Sequence, residues 1–277
     1  MQWLLRGSVV VFVVSSMLAM GLGVQVSEVI APLRQPSLVL RALAANFILA
    51  PAVALSMAWL LPLDPRYEAG LLLLAFAAGS PLLAKLAQIG GADVGRAAAL
   101  MILLMAASVL FLPLALPLFV EGMQANPWRI AAPLVGLMLV PLALGVALRR
   151  VAPGTAVRLV PAMSGLSNVG FAVFVLLLFG LNLSALLGVL GSGAIAAAIA
   201  FIVLLFACAW ALGVPDAAGR GLFGYATAMR NIGAALVTAR ASGAEPETVV
   251  MLIVTGLVGL LLLISVAAAA RGRSGAG

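Results

Sequence analysis

Long apolar stretches follow one another along nearly the whole chain, and only short polar connections separate them. A membrane-spanning helix needs about 20 apolar residues in sequence. Such stretches recur at approximate positions 8–24, 38–61, 69–90, 97–119, 131–149, 159–181, 184–213, 221–240 and 247–270. Because 65% of the 277 residues are hydrophobic and 8% are charged, no segment is polar enough to form a separate soluble domain. The sequence predicts an all-α polytopic membrane protein, in which residues 1–277 form one transmembrane domain of nine helices.

The arginine residues predict how these helices are oriented. Nine spans place the two termini on opposite faces of the membrane. The face of the N-terminus carries Arg6, Arg66, Arg129 and Arg240, whereas the other face carries Arg34, Arg41, Arg96, Arg149, Arg150, Arg158, Arg220, Arg271 and Arg273. Basic residues accumulate in cytoplasmic loops, so we expect an outward N-terminus and a cytoplasmic C-terminus in a bacterial inner (plasma) membrane. The same distribution argues against a cleaved signal peptide at residues 1–24.

The residue types argue against several classes of function. The chain has no histidine and a single cysteine, Cys208, so we expect neither a metal site nor an intrachain disulfide. All eight carboxylates fall in or beside predicted loops, at Glu28, Asp64, Glu68, Asp93, Glu121, Asp216, Glu245 and Glu247. The sequence therefore predicts no enzyme, no catalytic residues and no cofactor. The net charge of +7 is interpreted as a topology signal, so the expected partners are the lipid bilayer and a small solute, with no nucleic acid. The oligomeric state stays open.

Two basic residues fall inside predicted spans rather than at their ends. Arg230 lies ten residues from both Arg220 and Arg240, which is about 15 Å along a helix and therefore near the middle of the bilayer. Lys85, the only lysine, lies five residues before Gly90, so its long side chain could instead reach the surface. A cation buried without a carboxylate must face water, backbone carbonyls, helix C-termini or an anionic ligand.

The same two spans contain residues that disturb a helix. Gly79, Ser80 and Pro81 lie near the centre of the span with Lys85, where a proline either breaks or kinks the helix. The span with Arg230 carries small and polar residues at helical spacing, which also suit close helix packing: Thr227, Asn231, Ala234 and Thr238. These are the third and eighth spans, and they run in opposite directions. A pair of disrupted helices in two halves is typical of an inverted-repeat transporter, with the substrate site where they meet.

Three segments resemble the bile acid:sodium symporter family. Residues 20–55 resemble a family segment with a glutamine-bearing helix that ends in proline, and Asn46 stands where that glutamine would be. Residues 77–94 align with the family's Pro-Gly-Gly-Thr-Ala-Ser-Asn crossover segment, and residues 226–236 resemble its Glu-x-Gly-Met-Gln-Asn segment. The resemblance implies an inverted repeat with two crossing discontinuous helices, core helices at about 38–119 and 184–270, and panel helices at about 8–24 and 131–181. Family members commonly have ten helices, so this chain is expected to begin at the family's second.

The departures from the family concern its sodium ligands. The resemblance places those ligands at positions where this chain has Leu83, Ala84, Ala226 and Arg230. Hard cations need oxygen ligands, and these positions supply no side-chain oxygen. We therefore expect Lys85 and Arg230 to replace the sodium ions, within a substrate and crossover site that also includes Asn231, Thr227, Ser80, Pro81 and Asn46.

The predicted function is sodium-independent transport of a small organic anion by alternating access, either secondary-active or facilitative. In a variant of this hypothesis, burial beside a second cation depresses the pKa of Lys85, so that it carries a proton. Two alternatives stay open: a non-transporting membrane receptor or scaffold with the same fold, and a conventional sodium-coupled symporter.

Overall fold

The computed structural model describes residues 2–119, 127–181, 187–213 and 217–274. The regular secondary structure in these ranges is helical and includes no strand, which confirms the predicted all-α class. The helices are α1 (Gln2–Gly23), α2 (Val26–Leu33), α3 (Pro36–Leu60), α4 (Pro65–Phe76), α5 (Leu83–Ile89), α6 (Val94–Phe119), α7 (Pro127–Val151), α8 (Pro153–Leu181), α9 (Ala194–Leu212), α10 (Ala217–Ala228), α11 (Ile232–Ala241) and α12 (Pro246–Ser274). Within α3 and α7 lie π-helical turns, at Ala45–Leu49 and Val135–Leu139.

Six helices in the described part of the chain are long and apolar enough to cross a membrane: α3, α6, α7, α8, α9 and α12. In α1 the apolar stretch is shorter, at Gly7–Gly23. The count of nine spans stays a prediction, because the segments predicted at 69–90 and 221–240 are each divided. The first forms helices of 12 and 7 residues, and the second forms helices of 12 and 10 residues. Neither piece of either pair has the length of a spanning helix.

Two boundaries differ from the sequence-based prediction. The span predicted at 184–213 becomes helix α9 only from Ala194, because Gly191 and Gly193 have φ angles of +83° and +79° and a right-handed helix cannot continue through them. Residues 182–186 lie outside the described ranges. Helix α2 was not predicted, because its eight residues are far shorter than the membrane-spanning stretches that hydropathy detects.

Glycine residues bring α1 into close contact with α7 and α8. A Cβ atom on Gly145 of α7 would lie 2.7 Å from the carbonyl oxygen of Leu18 and 2.8 Å from the backbone nitrogen of Leu22, both in α1. In α8, a Cβ atom on Gly170 would lie 3.0 Å from the backbone nitrogen of Phe12. Small residues at these crossings let the helix backbones approach each other. Helices α1, α7 and α8 therefore form one packed group.

Helix α4 runs into the centre of the remaining helices. It begins at Asp64, whose carboxylate accepts a hydrogen bond from the backbone of Arg66 (2.9 Å) and caps the helix. The Arg66 guanidinium lies 2.9 Å from Asp64 and 3.3 Å from Glu247 of α12, so the two helix starts are joined. Hydrogen bonding by Arg66 holds the pKa of Asp64 below its ordinary value. From Gly70 to Ser80 every residue is buried, and α4 therefore ends in the protein interior.

Candidate crossover site and substrate cavity

The first interruption of the chain lies between α4 and α5. Helix α4 ends at Phe76, residues 77–82 are not helical, and Gly79 has a φ angle of +79°. Ser108 of α6 holds this segment at both backbone atoms of Ala78: its hydroxyl accepts from the nitrogen (2.7 Å) and donates to the oxygen (3.1 Å). The Gly-Ser-Pro sequence thus marks a true break rather than a kink.

The second interruption lies between α10 and α11, and it is bonded directly to the first. The Asn231 backbone nitrogen donates to the carbonyl of Ala77 (2.9 Å), and its side-chain nitrogen donates to the carbonyl of Gly79 (3.0 Å). The side-chain oxygen of Asn231 accepts from the backbone nitrogen of Ala234 (3.0 Å) and so caps α11. One asparagine therefore supplies both a helix cap and the link between the two interruptions.

Arg230 is buried between these breaks, with 3% of its surface exposed. Its guanidinium donates to the carbonyl oxygens of Leu74 (2.8 Å), Ala75 (2.5 Å) and Thr227 (3.0 Å), and to the side-chain oxygen of Asn46 (2.7 Å). Leu74 and Ala75 belong to the last turn of α4, where unpaired carbonyls and the helix dipole favour a positive charge. The cation is therefore accommodated by oxygen atoms of the protein, without a carboxylate among these partners.

Asn46 orients this network from a neighbouring helix. It lies in the π-helical turn of α3 and is 1% exposed. While its oxygen accepts from Arg230, its side-chain nitrogen donates to the Ala42 carbonyl (3.0 Å) and to the Thr227 hydroxyl (3.2 Å). A π-helical turn shifts the direction of side chains relative to a regular helix and is frequent at functional sites. Three segments of the chain thus meet at one guanidinium group.

Lys85 has quite different surroundings. It is exposed, and it lines a cavity of about 850 Å³ between α1 and α8 on one side and the interrupted helices and α12 on the other. Ser80, Pro81, Ala84 and Asn231 also line this cavity, whereas Leu83, Thr227 and Ala226 are buried elsewhere in the core. Arg230 is not among the lining residues. The structure thus puts the two cations in different environments, one in a cavity and one among carbonyl groups.

Several cavity residues were not singled out in the sequence. Helix α8 contributes Ser164, Ser167 and Asn168. Their positions i, i+3 and i+4 lie on one face of a helix. Asp93 lines the cavity too, although its position in a predicted loop argued against a role at depth. A polar face within a predicted span was the sequence signal that could have identified the cavity residues of α8. The signal was weak, because serines also occur in transmembrane helices as packing residues.

We expect Asn231→Asp to destabilise the protein by about 2–3 kcal/mol, since a buried hydrogen-bond donor is replaced by an acceptor that faces the Gly79 carbonyl. The aspartate still caps α11, so the link between the interruptions is the interaction that changes. Thermal unfolding of the purified protein in detergent measures the effect. Asn168→Asp is the matched control, because Asn168 is exposed to the cavity. An equal loss in both variants would contradict the role assigned to Asn231.

Comparison with protein families gives a match over most of the chain. The model described as the sodium bile acid symporter family matches residues 10–189. The matched region contains the first interruption and all the cavity residues of α1 and α8, and it ends before the second interruption. A comparison with curated proteins finds no match.

Proposed function

Because the chain belongs to the sodium bile acid symporter family, we propose that it is a membrane transporter of small organic anions in which Arg230 takes the place of a sodium ion. Transport is secondary-active or facilitative and proceeds by alternating access. The observation that carries the proposal is the hydrogen bonding of Arg230 to four oxygen atoms, three of them backbone carbonyls. Carbonyl and amide oxygens are the ligands that hard cations use. A guanidinium fixed among them leaves a sodium ion both without ligands and close to a positive charge.

The packing supports a core and a panel. Helices α1, α7 and α8 form the panel, and α3–α6 with α9–α12 form the core, with the two interrupted helices as an inverted-repeat pair. Nine spans result when each interrupted pair, α4 with α5 and α10 with α11, crosses the membrane as a unit. The cavity lies between panel and core, which is where alternating access needs a substrate site. Lys85 supplies this site with a positive charge for an anion.

The position of the cavity supports an inward-facing conformational state. Its residues in α1 run from Phe12 to Gly23, and it includes Asp93 to Gly95 at the start of α6. This end is the arginine-rich face, which the positive-inside rule assigns to the cytoplasm. The cavity is therefore open to the cytoplasm, and the protein is in its inward-facing state with the N-terminus outside.

We expect the melting temperature of the purified protein to be the same in sodium chloride and in potassium chloride at equal ionic strength. A ligand that binds only the folded state stabilises it by about 2.7 kcal/mol at one hundred times its dissociation constant, so a bound sodium ion would be visible. Arg230→Ala is the contrasting variant, because it frees the same oxygen atoms; we expect sodium, but not potassium, to raise its melting temperature. A saturable sodium effect on the unsubstituted protein would favour the conventional sodium-coupled symporter instead.

Uptake into proteoliposomes separates a transporter from a receptor or scaffold, since a receptor or scaffold binds ligand without flux.

A further inference from the structure

The cavity contains two opposite charges. Lys85 on α5 and Asp93 just before α6 are the charged side chains that line it within the described ranges, and both are exposed. Lys85 and Asp93 do not form an ion pair with each other. The ion pairs found between described residues join Arg66 to Asp64, Glu245 and Glu247. The charges that line the cavity within the described ranges therefore sum to zero, although the chain as a whole is strongly basic.

The backbone fixes Asp93 in place. Its Oδ1 atom accepts a hydrogen bond from the Arg96 nitrogen (3.0 Å), and its carbonyl accepts from Ala97 (3.0 Å), so Asp93 is the N-cap of α6. Lys85 is held by the short helix α5, which ends at Ile89. Four helical residues, 86–89, and a three-residue turn, 90–92, separate Lys85 from Asp93, so the backbone limits their Cα separation to at most about 20 Å. Both charges are thus attached to adjacent, ordered elements of the same wall.

Charges of opposite sign in one cavity discriminate between ligands by charge distribution. A simple anion is attracted by Lys85 and repelled by Asp93, whereas a molecule with one positive and one negative group can satisfy both. Apolar side chains such as Met17, Phe171 and Leu260 cover much of the remaining wall and suit a hydrocarbon body between the two charged ends.

We propose that the solute is a zwitterion, with its anionic group at Lys85, its cationic group at Asp93 and an apolar chain between them. The inference names the substrate class of the same cavity. It rests on the proposed function, because a bound zwitterion is a substrate only if the protein transports it. It narrows the predicted organic anion to one that also carries a positive charge.

Matched sets of small molecules test the inference by direct binding to the purified full-length protein in nanodiscs. The zwitterions are γ-aminobutyrate, ε-aminocaproate and ω-aminocaprylate; the matched anions are butyrate, caproate and caprylate; and hexylamine is the cation. We expect one zwitterion, of the length that spans the two charges, to bind at least about tenfold more tightly than its matched anion and than hexylamine. If every anion binds as tightly as its zwitterion, the proposal is wrong.

Asp93→Asn provides the decisive variant, because asparagine caps a helix as well as aspartate does and the fold is retained. We expect the preferred zwitterion to bind about tenfold more weakly and its matched anion to bind more tightly, since the repulsive charge is gone. We expect Lys85→Gln to weaken the binding of both the zwitterion and its matched anion. Asp64→Asn is the control, since it also replaces an aspartate N-cap but lies at the start of α4, outside the cavity lining. Weakening of both ligands alike by Asp93→Asn would overturn the assignment.

Flux measurements keep this inference separate from the proposed function. Counterflow of the preferred zwitterion in proteoliposomes tests transport, whereas the binding preference tests the substrate class. Preferential binding without flux would contradict the transporter and leave the zwitterion site intact. Flux of the anions without any preference for zwitterions would support the transporter and contradict the zwitterion site.

Discussion

Arg230→Met is expected to lower the melting temperature by about 10 °C. Methionine fills a similar volume but cannot donate hydrogen bonds, so the carbonyls of Leu74 and Ala75 and the Asn46 oxygen lose their donor. Leaving a buried acceptor unpaired costs about 1–3 kcal/mol, and we expect a total loss of about 3–5 kcal/mol. A change of 1 kcal/mol shifts the melting temperature of a chain of this size by about 2–4 °C. Thermal unfolding in detergent measures the result.

Two further variants identify the cause of that loss. Arg230→Lys keeps the positive charge but replaces the planar fork with a single ammonium group, which cannot reach all the oxygen atoms at once; we expect an intermediate melting temperature. Arg150→Met changes an exposed arginine near the end of α7 and is expected to alter the melting temperature by about 1 °C at most. If Arg230→Met behaves like Arg150→Met, the guanidinium does not hold the crossover together.

Gly79→Ala is expected to destabilise the protein by about 3 kcal/mol and to abolish uptake. The backbone at Gly79 has a φ angle of +79°, which costs a residue with a Cβ atom about 1–2 kcal/mol. In addition, the new Cβ atom would lie 2.6 Å from the Cα of Met105 and 2.8 Å from the carbonyl oxygen of Met101. These are backbone atoms of α6 and cannot rotate away, so the segment itself must move. That movement displaces the Gly79 carbonyl, which accepts from Asn231.

Gly91→Ala separates the cost of the positive φ angle from the cost of close packing against α6. Gly91 also has a positive φ angle, +69°, but a Cβ atom there meets no atom within 4 Å. We expect only the conformational cost of about 1–2 kcal/mol and normal uptake. Melting temperatures and proteoliposome uptake of the two variants are compared side by side. Equal destabilisation would show that close packing of the first interruption against α6 contributes nothing.

The membrane class and the position of the first break could be predicted because their signals are local. Apolar runs of about 17 residues or more and the Gly79-Ser80-Pro81 sequence act on their own segment through backbone solvation and sterics. Helix starts were predicted less well where conformation rather than polarity decides them. Gly191 and Gly193, for example, set the start of α9 at Ala194, within an apolar region.

The candidate site was predicted in its parts but not in its arrangement. Lys85 and Arg230 stood out because charges are rare in apolar spans, yet their pairing stays a prediction. The structure gives Arg230 four oxygen partners and gives Lys85 a cavity. Asp93 was placed in a loop by its polar neighbours, and hydropathy carries no information on whether a loop borders a cavity.

The sequence by itself determined that this chain is a membrane protein, that Gly79-Ser80-Pro81 disturbs one of its spans and that Arg230 lies within another. Each of these properties follows from short-range chemistry: apolar transfer, proline geometry and the cost of a charge in hydrocarbon. Only the tertiary structure decided which groups that charge meets. The Arg230 side chain and its Leu74 acceptor are 156 residues apart in the chain. Packing of the intervening helices, rather than any local pattern, brings the cation to the end of α4 and leaves Lys85 and Asp93 facing one cavity.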